Sequence, residues 1–155
     1  MAAVKGQCTY KGKNFALVDG VAAMAPDPFE ETQKVPTMWF VSVPFAAGEL
    51  AGKTAKEYDD AVTQHGFDKD STTLQLRMDK DGKVVEGLQL YVPPGTSYSS
   101  SSNEVGKLAM KGPFGAKAAG SWTLADDDMK CNLSFDLGTG AAAGGTAMVA
   151  APPPK

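Results

Sequence analysis

From Met129 to Leu137 every second residue is apolar (Met129, Cys131, Leu133, Phe135, Leu137), and Lys130, Asn132, Ser134 and Asp136 fill the gaps. Alternation of this kind sends successive side chains to opposite faces of an extended chain, so the stretch specifies a strand with one buried and one wet face. The same short pattern recurs between Gly-, Asp- and Pro-rich turns, and that recurrence constrains the fold more than any other feature. Strands are predicted at 4–10, 15–24, 38–45, 72–78, 84–92, 105–110, 118–124 and 129–137. Lys11-Gly12-Lys13-Asn14, Asp79-Lys80-Asp81-Gly82 and Asp126-Asp127-Asp128 read as the turns of hairpins. Val85 and Leu88 share a face only if an extra residue is accommodated, which makes Gly87 the place for a bulge. Pro44 restricts the 38–45 strand to an edge or an end.

Two segments read differently. In Pro26-Asp27-Pro28-Phe29-Glu30-Glu31 the prolines exclude regular structure and Phe29 is the expected anchor. The segment 93–103, carrying Ser99 to Ser102, reads as a solvated loop. Between Ala46 and His65 the composition changes to Ala, Glu, Lys and Asp, and Leu50, Tyr58, Ala61 and Val62 approximate a helical stripe. Gly48 and Gly52 weaken its first turns, leaving a helix over 54–65 with Gly66 as its stop. The expected fold is mainly β: an antiparallel sandwich or barrel of about eight short strands with one inserted helix, over residues 1–137. Residues 138–155 hold almost no large apolar side chain and read as a flexible Gly/Ala/Pro-rich tail.

Cys8 alternates with Val4 and Tyr10, and Cys131 lies on the apolar face described above, so both sulfurs point inward from strands near the two ends of the domain. The cysteines form one disulfide, stay as two buried thiols, or leave one thiol reactive; the structural disulfide Cys8–Cys131 is the preferred reading. It implies an oxidising compartment. Met1-Ala2-Ala3-Val4 has neither the basic nor the apolar region of a signal peptide, and Met followed by small residues fits the mature part of an exported protein. The expected location is therefore periplasmic or secreted.

Composition narrows the function classes. Of 155 residues, 43% are hydrophobic and 21% charged, which suits a globular domain and not a disordered chain. A net charge of −3 argues against nucleic acid, and no apolar run reaches the roughly 18 residues of a membrane span. Fourteen of the fifteen basic residues are Lys, scattered over turns, outward strand positions and the helix, where they keep strands soluble and edges unpaired. Arg77 is alone, which disfavours a dedicated anion site, since Arg is the usual bidentate grip on phosphate or carboxylate. No CxxC or Cys/His cluster suggests zinc. The 79–86 segment misses the EF-hand spacing: Arg77 stands at the first ligand position, and Glu86 follows the Gly too closely. We therefore expect neither metal nor cofactor.

Among possible functional side chains, His65 at the helix end is explained by the macrodipole, the alternative being a general base oriented by Asp68 or Asp70; no GxSxG elbow accompanies it. Asp59-Asp60 and Asp126–Asp128 sit where charge is simply solvated. Trp39, Trp122, Phe29, Phe40, Phe45 and Tyr91 either pack the core or form an aromatic face for sugar or peptide. If Trp39, Val41 and Val43 face the core, Phe40 faces away and needs the helix, the Phe29 segment or a partner to cover it. Phe29, Phe40, His65 and Tyr98 are the candidate binding residues, and no catalytic residue is assigned.

Residues 9–45, TYKGKNFALVDGVAAMAPDPFEETQKVPTMWFVSVPF, combine a short GK hairpin, a small-residue strand, a PDPF loop, a Lys before the next hydrophobic strand and a proline that ends it. This pattern resembles a loosely defined group of exported bacterial proteins of unknown function. The later Asp79–Gly82 turn and the Leu-Ser-Phe-Asp strand end are similar but generic. The resemblance implies export and a mainly β domain, and brings no catalytic residues. The expected function is a non-enzymatic binding or accessory domain, an inhibitor or immunity-type protein being one version. Its partner would be a protein or a small ligand, with the chain a monomer or weak dimer. The alternative is a small hydrolase or ligand-processing enzyme with a dispersed site near His65, Asp68 and Ser99.

Overall fold

The computed structural model describes residues 3–138 other than 28, 31, 102–104 and 116. The expected tail falls outside the described residues, except for Gly138, which ends the last strand. The elements are β1 (Ala3–Tyr10), β2 (Lys13–Leu17), β3 (Asp19–Pro26), β4 (Lys34–Val41), α1 (Ala55–Lys69), β5 (Thr73–Met78), β6 (Val85–Val92), β7 (Thr96–Ser101), β8 (Lys107–Met110), β9 (Lys117–Ala125) and β10 (Met129–Gly138). They form two antiparallel five-stranded sheets, ordered β2-β1-β10-β9-β8 and β3-β4-β5-β6-β7. The architecture is a sandwich and not a closed barrel, because no strand of one sheet pairs with a strand of the other among the described residues. No described helix is long and apolar enough to cross a membrane.

Ten strands stand where about eight were expected, for two reasons. The 15–24 strand is divided: β2 pairs with β1, whereas β3 pairs with β4 in the other sheet. Val18 lies at the corner, its N–H donating to the Val41 carbonyl at 2.9 Å. The second addition is β7, within the segment read as a loop, which pairs with β6 from Val92↔Thr96 to Gly87↔Ser101. Pro44 lies beyond the end of β4, as an end position requires. The bulge falls as expected: Arg77 pairs with Gly87 but Met78 pairs with Val85.

Phe40 shows how the layers are built, and it reverses the orientation expected for β4. Phe40 points between the sheets and stacks on Phe135 of β10, centroids 5.6 Å apart and planes within 10°. Gly20 on β3 makes room for it, since a Cβ there would lie 2.9 Å from the Phe40 ring. Trp39 points the opposite way and meets Tyr58 of α1 edge-on at 5.7 Å. The helix therefore covers the outer face of the second sheet, and β4 is buried on both sides: its apolar run hides the alternation that would have told the two faces apart. Each fully buried aromatic or Leu side chain contributes about 1.5–3 kcal/mol.

The helix starts at Thr54, whose N–H and hydroxyl both donate to the Glu57 carboxylate, at 2.8 and 3.0 Å. It continues past Gly66 to Lys69 and is capped by Asp70 in the left-handed region, φ 55°, whereas Gly66 was the expected stop. Gly66 serves packing instead: a Cβ there would press on the Thr73 methyl at 3.1 Å.

Candidate functional site

The outer face of the β3–β7 sheet can be read off the strand register. One row runs Val21, Trp39, Gln75, Gln89, Ser99 across the five strands, and the next row carries Ala23, Thr37, Arg77 and Gly87. On the other side of the central row lie Thr73, Tyr91 and Ser97. The small side chains of β3 let α1 approach that edge; the helix packs on β3, meets Trp39 of β4 through Tyr58, and reaches Thr73 of β5 and Tyr91 of β6 near its C-terminal end. The rest of the face of β5, β6 and β7 is the floor of a trough walled by α1. Two cavities, of about 670 and 420 Å³, lie side by side along this face and share Trp39, Asp59, Gln75, Gln89 and Ser99 as lining. Each falls within the roughly 300–1,000 Å³ of small-molecule sites.

Its polar groups are held in place. Asp59, on the helix wall, accepts from the Gln75 side-chain amide at 3.1 Å and from the Trp39 indole N–H at 3.5 Å. That fixes the Gln75 amide beside Gln89, its direct cross-strand neighbour. Asp59 is thus not merely solvated, as its place on the helix surface suggested.

Arg77 lies at the wider end. Its guanidinium carbon lies over the Phe29 ring, 5.2 Å from the centroid, with Gly87 opposite it on the adjacent strand. A Cβ at position 87 would lie 2.5 Å from Nη2, so the guanidinium occupies space that the glycine leaves. Phe29 is not the buried anchor expected of it: it is 83% exposed and serves as the aromatic plate over Arg77. Lys56 adds a second cation to this end. At the narrower end Phe67, 59% exposed, meets Tyr91 edge-on at 5.2 Å.

The other sequence candidates lie elsewhere. Phe40 is fully buried in the inter-sheet core and presents no surface to a ligand. Tyr98 is half-buried at the side of the sandwich, against Tyr10 at 5.3 Å, with its hydroxyl 3.3 Å from an Asp126 oxygen; it borders only the narrower cavity. His65, expected at the helix end through the macrodipole or as a binding residue, is 1% exposed and held within the fold. Its Nδ1 lies 2.6 Å from Glu49 Oε2 and its Nε2 lies 2.7 Å from the Val43 carbonyl. The ring is held between these two groups and, at 1% exposure, turns neither nitrogen toward solvent. Asp68, proposed as its orienting group, instead accepts from Gln64. Glu49, which does hold the ring, is sixteen residues away in a loop whose course only the fold reveals.

The carboxylate of Asp79 is occupied by the N–H groups of Lys83 and Val84, at 2.7 and 3.2 Å, which suits a turn. Among the described residues no group of three or more His, Cys, Asp or Glu side chains is arranged to hold a metal ion. From the sequence, Gln75 and Gln89 are ordinary outward polar residues, Arg77 stands out only as alone among lysines, and Asp59, paired with Asp60 as a candidate acid–base or metal carboxylate, reads as solvated. Set against protein-family models, curated proteins and solved structures, the chain matches none of them, so its function rests on this geometry.

Proposed function

We propose that this chain is a non-enzymatic binding domain of the periplasm or cell exterior, and that its ligand lies in the trough between α1 and the β5–β7 face. One observation carries the reading: the trough floor is a row of side-chain amides and hydroxyls, its Gln75 amide held by Asp59, on strands and not on loops. Binding groups set on a scaffold lose little entropy when a ligand arrives. Export is supported by the disulfide between Cys8 and Cys131 and by the N-terminal resemblance described above. Glycan and peptide arrays probed with the wild type and with Ser99→Trp, which fills the floor from β7, test the proposal. Binding by the wild type that the variant loses is the expected result. Binding retained in full by the variant, or a wild type that retains neither class, would contradict it.

A further inference from the structure

We infer that the trough takes an acidic sugar chain, one of whose carboxylates is gripped in plane by Arg77. This rests on the trough being the binding site and adds the chemistry of its occupant. The first observation is the seat of the guanidinium. Among the described residues no carboxylate lies within ion-pair distance of Arg77, and the group sits over the Phe29 ring in the space that Gly87 leaves. A ring over one face of a guanidinium leaves its N–H edges for a planar, bidentate acceptor. A lysine ammonium offers neither property, which accounts for the one arginine in a chain with fourteen lysines.

The second observation is the rest of the floor. Gln75, Gln89 and Ser99 each both donate and accept, and Asp59 accepts, which complements the hydroxyls of a sugar. The backbone groups of the central strands β5 and β6 are consumed by ladder bonds on both sides. A peptide lying across this face would find few partners for its own N–H and C=O groups. Exposed rings at both ends, Phe29 and Phe67, give apolar surfaces on which the C–H faces of sugar rings can stack. From Arg77 to Thr73 the floor runs four residues along β5, about 13 Å at roughly 3.3 Å per residue, which suits a short chain and not a single sugar.

The test is calorimetric titration with trisaccharides of galacturonate, glucuronate and mannuronate, with the neutral trisaccharide of each sugar, and with an acidic tripeptide. At least one uronate is expected to bind the wild type, at least tenfold more tightly than its neutral counterpart and than the peptide. Arg77→Gln should remove that preference, and Arg77→Lys should not restore it. Gly87→Ala is the second variant: its methyl displaces the tip of a flexible side chain, so the fold survives while the grip is lost. Retention of the uronate preference in Arg77→Gln and Gly87→Ala, each shown to be folded by its near-UV spectrum, would overturn the inference. So would uronates that bind no better than neutral sugars, or tighter binding of the peptide. Those last two results leave the trough itself standing if Ser99→Trp abolishes the binding seen, whereas indifference to Ser99→Trp removes the trough.

Discussion

Tyr58 lies wholly buried against Trp39, and its hydroxyl has no hydrogen-bond partner among the described residues. An orphaned buried hydroxyl costs about 1–3 kcal/mol, so Tyr58→Phe should keep the ring packing and leave stability unchanged or raise it by about 1 kcal/mol. Urea unfolding checks this, and a clear loss would show that the hydroxyl is satisfied. Burial also pushes the Tyr58 phenol above its ordinary value of 10. The unfolded chain then loses this proton before the folded one does. The contribution is intact below about pH 10 and declines as pH rises further, and Tyr58→Phe should flatten that alkaline slope. His65 works in the opposite direction, with both of its nitrogens used. His65→Ala removes a bond to a carboxylate and one to a carbonyl and should cost about 2–4 kcal/mol, while leaving trough binding unchanged. Loss of binding at unaltered stability would return His65 to the list of functional residues.

The strands were legible where one face is wet. Met129–Leu137 and Thr73–Met78 alternate cleanly in sequence and are strands in the fold, and the bulge opposite Arg77 follows from the phase of Val85 and Leu88. Legibility fails where tertiary pairing makes the decision. The alternation of 15–24 runs straight through Val18, and only the bond from its N–H to Val41 marks the passage from one sheet to the other. Thr96–Ser101 is mostly serine around a single tyrosine and is a strand because β6 offers it a ladder. The trough was illegible for a related reason: its residues come from the 25–39 region, the helix and three later strands, and they converge only through register. At the helix start, the N–H and hydroxyl of Thr54 hold the Glu57 carboxyl below the ordinary carboxylate value of 4.5. A depressed carboxyl stabilises the fold above that value and loses its contribution as pH falls through the folded pKa. Acid titration followed by far-UV circular dichroism should show helix fraying in that window. Glu57→Gln should lack the step.

Taken whole, the molecule is a sandwich whose first and last strands, β1 and β10, lie side by side and are joined by Cys8 and Cys131. The bridge spans 123 residues of sequence, so in the unfolded chain it closes nearly the whole domain into a loop. Replacing both cysteines with alanine should cost about 3–5 kcal/mol, measured by guanidinium unfolding of the variant against the oxidised wild type. A much smaller loss would mean that the β1–β10 ladder holds the ends of the domain together without it. At this scale the two sheets also divide the labour. The first sheet and the core hold the shape, while the second carries α1 on one half of its outer face and leaves the other half open. The central claim is that this open half is where a ligand binds, and a chemical-shift map of the ¹⁵N-labelled protein titrated with the uronate trisaccharides tests it most directly. The account predicts shifts concentrated on Gln75, Arg77, Gln89 and Ser99, including the side-chain amides of the two glutamines. Shifts centred on the outer face of the β2-β1-β10-β9-β8 sheet, with those four residues unmoved, would contradict it.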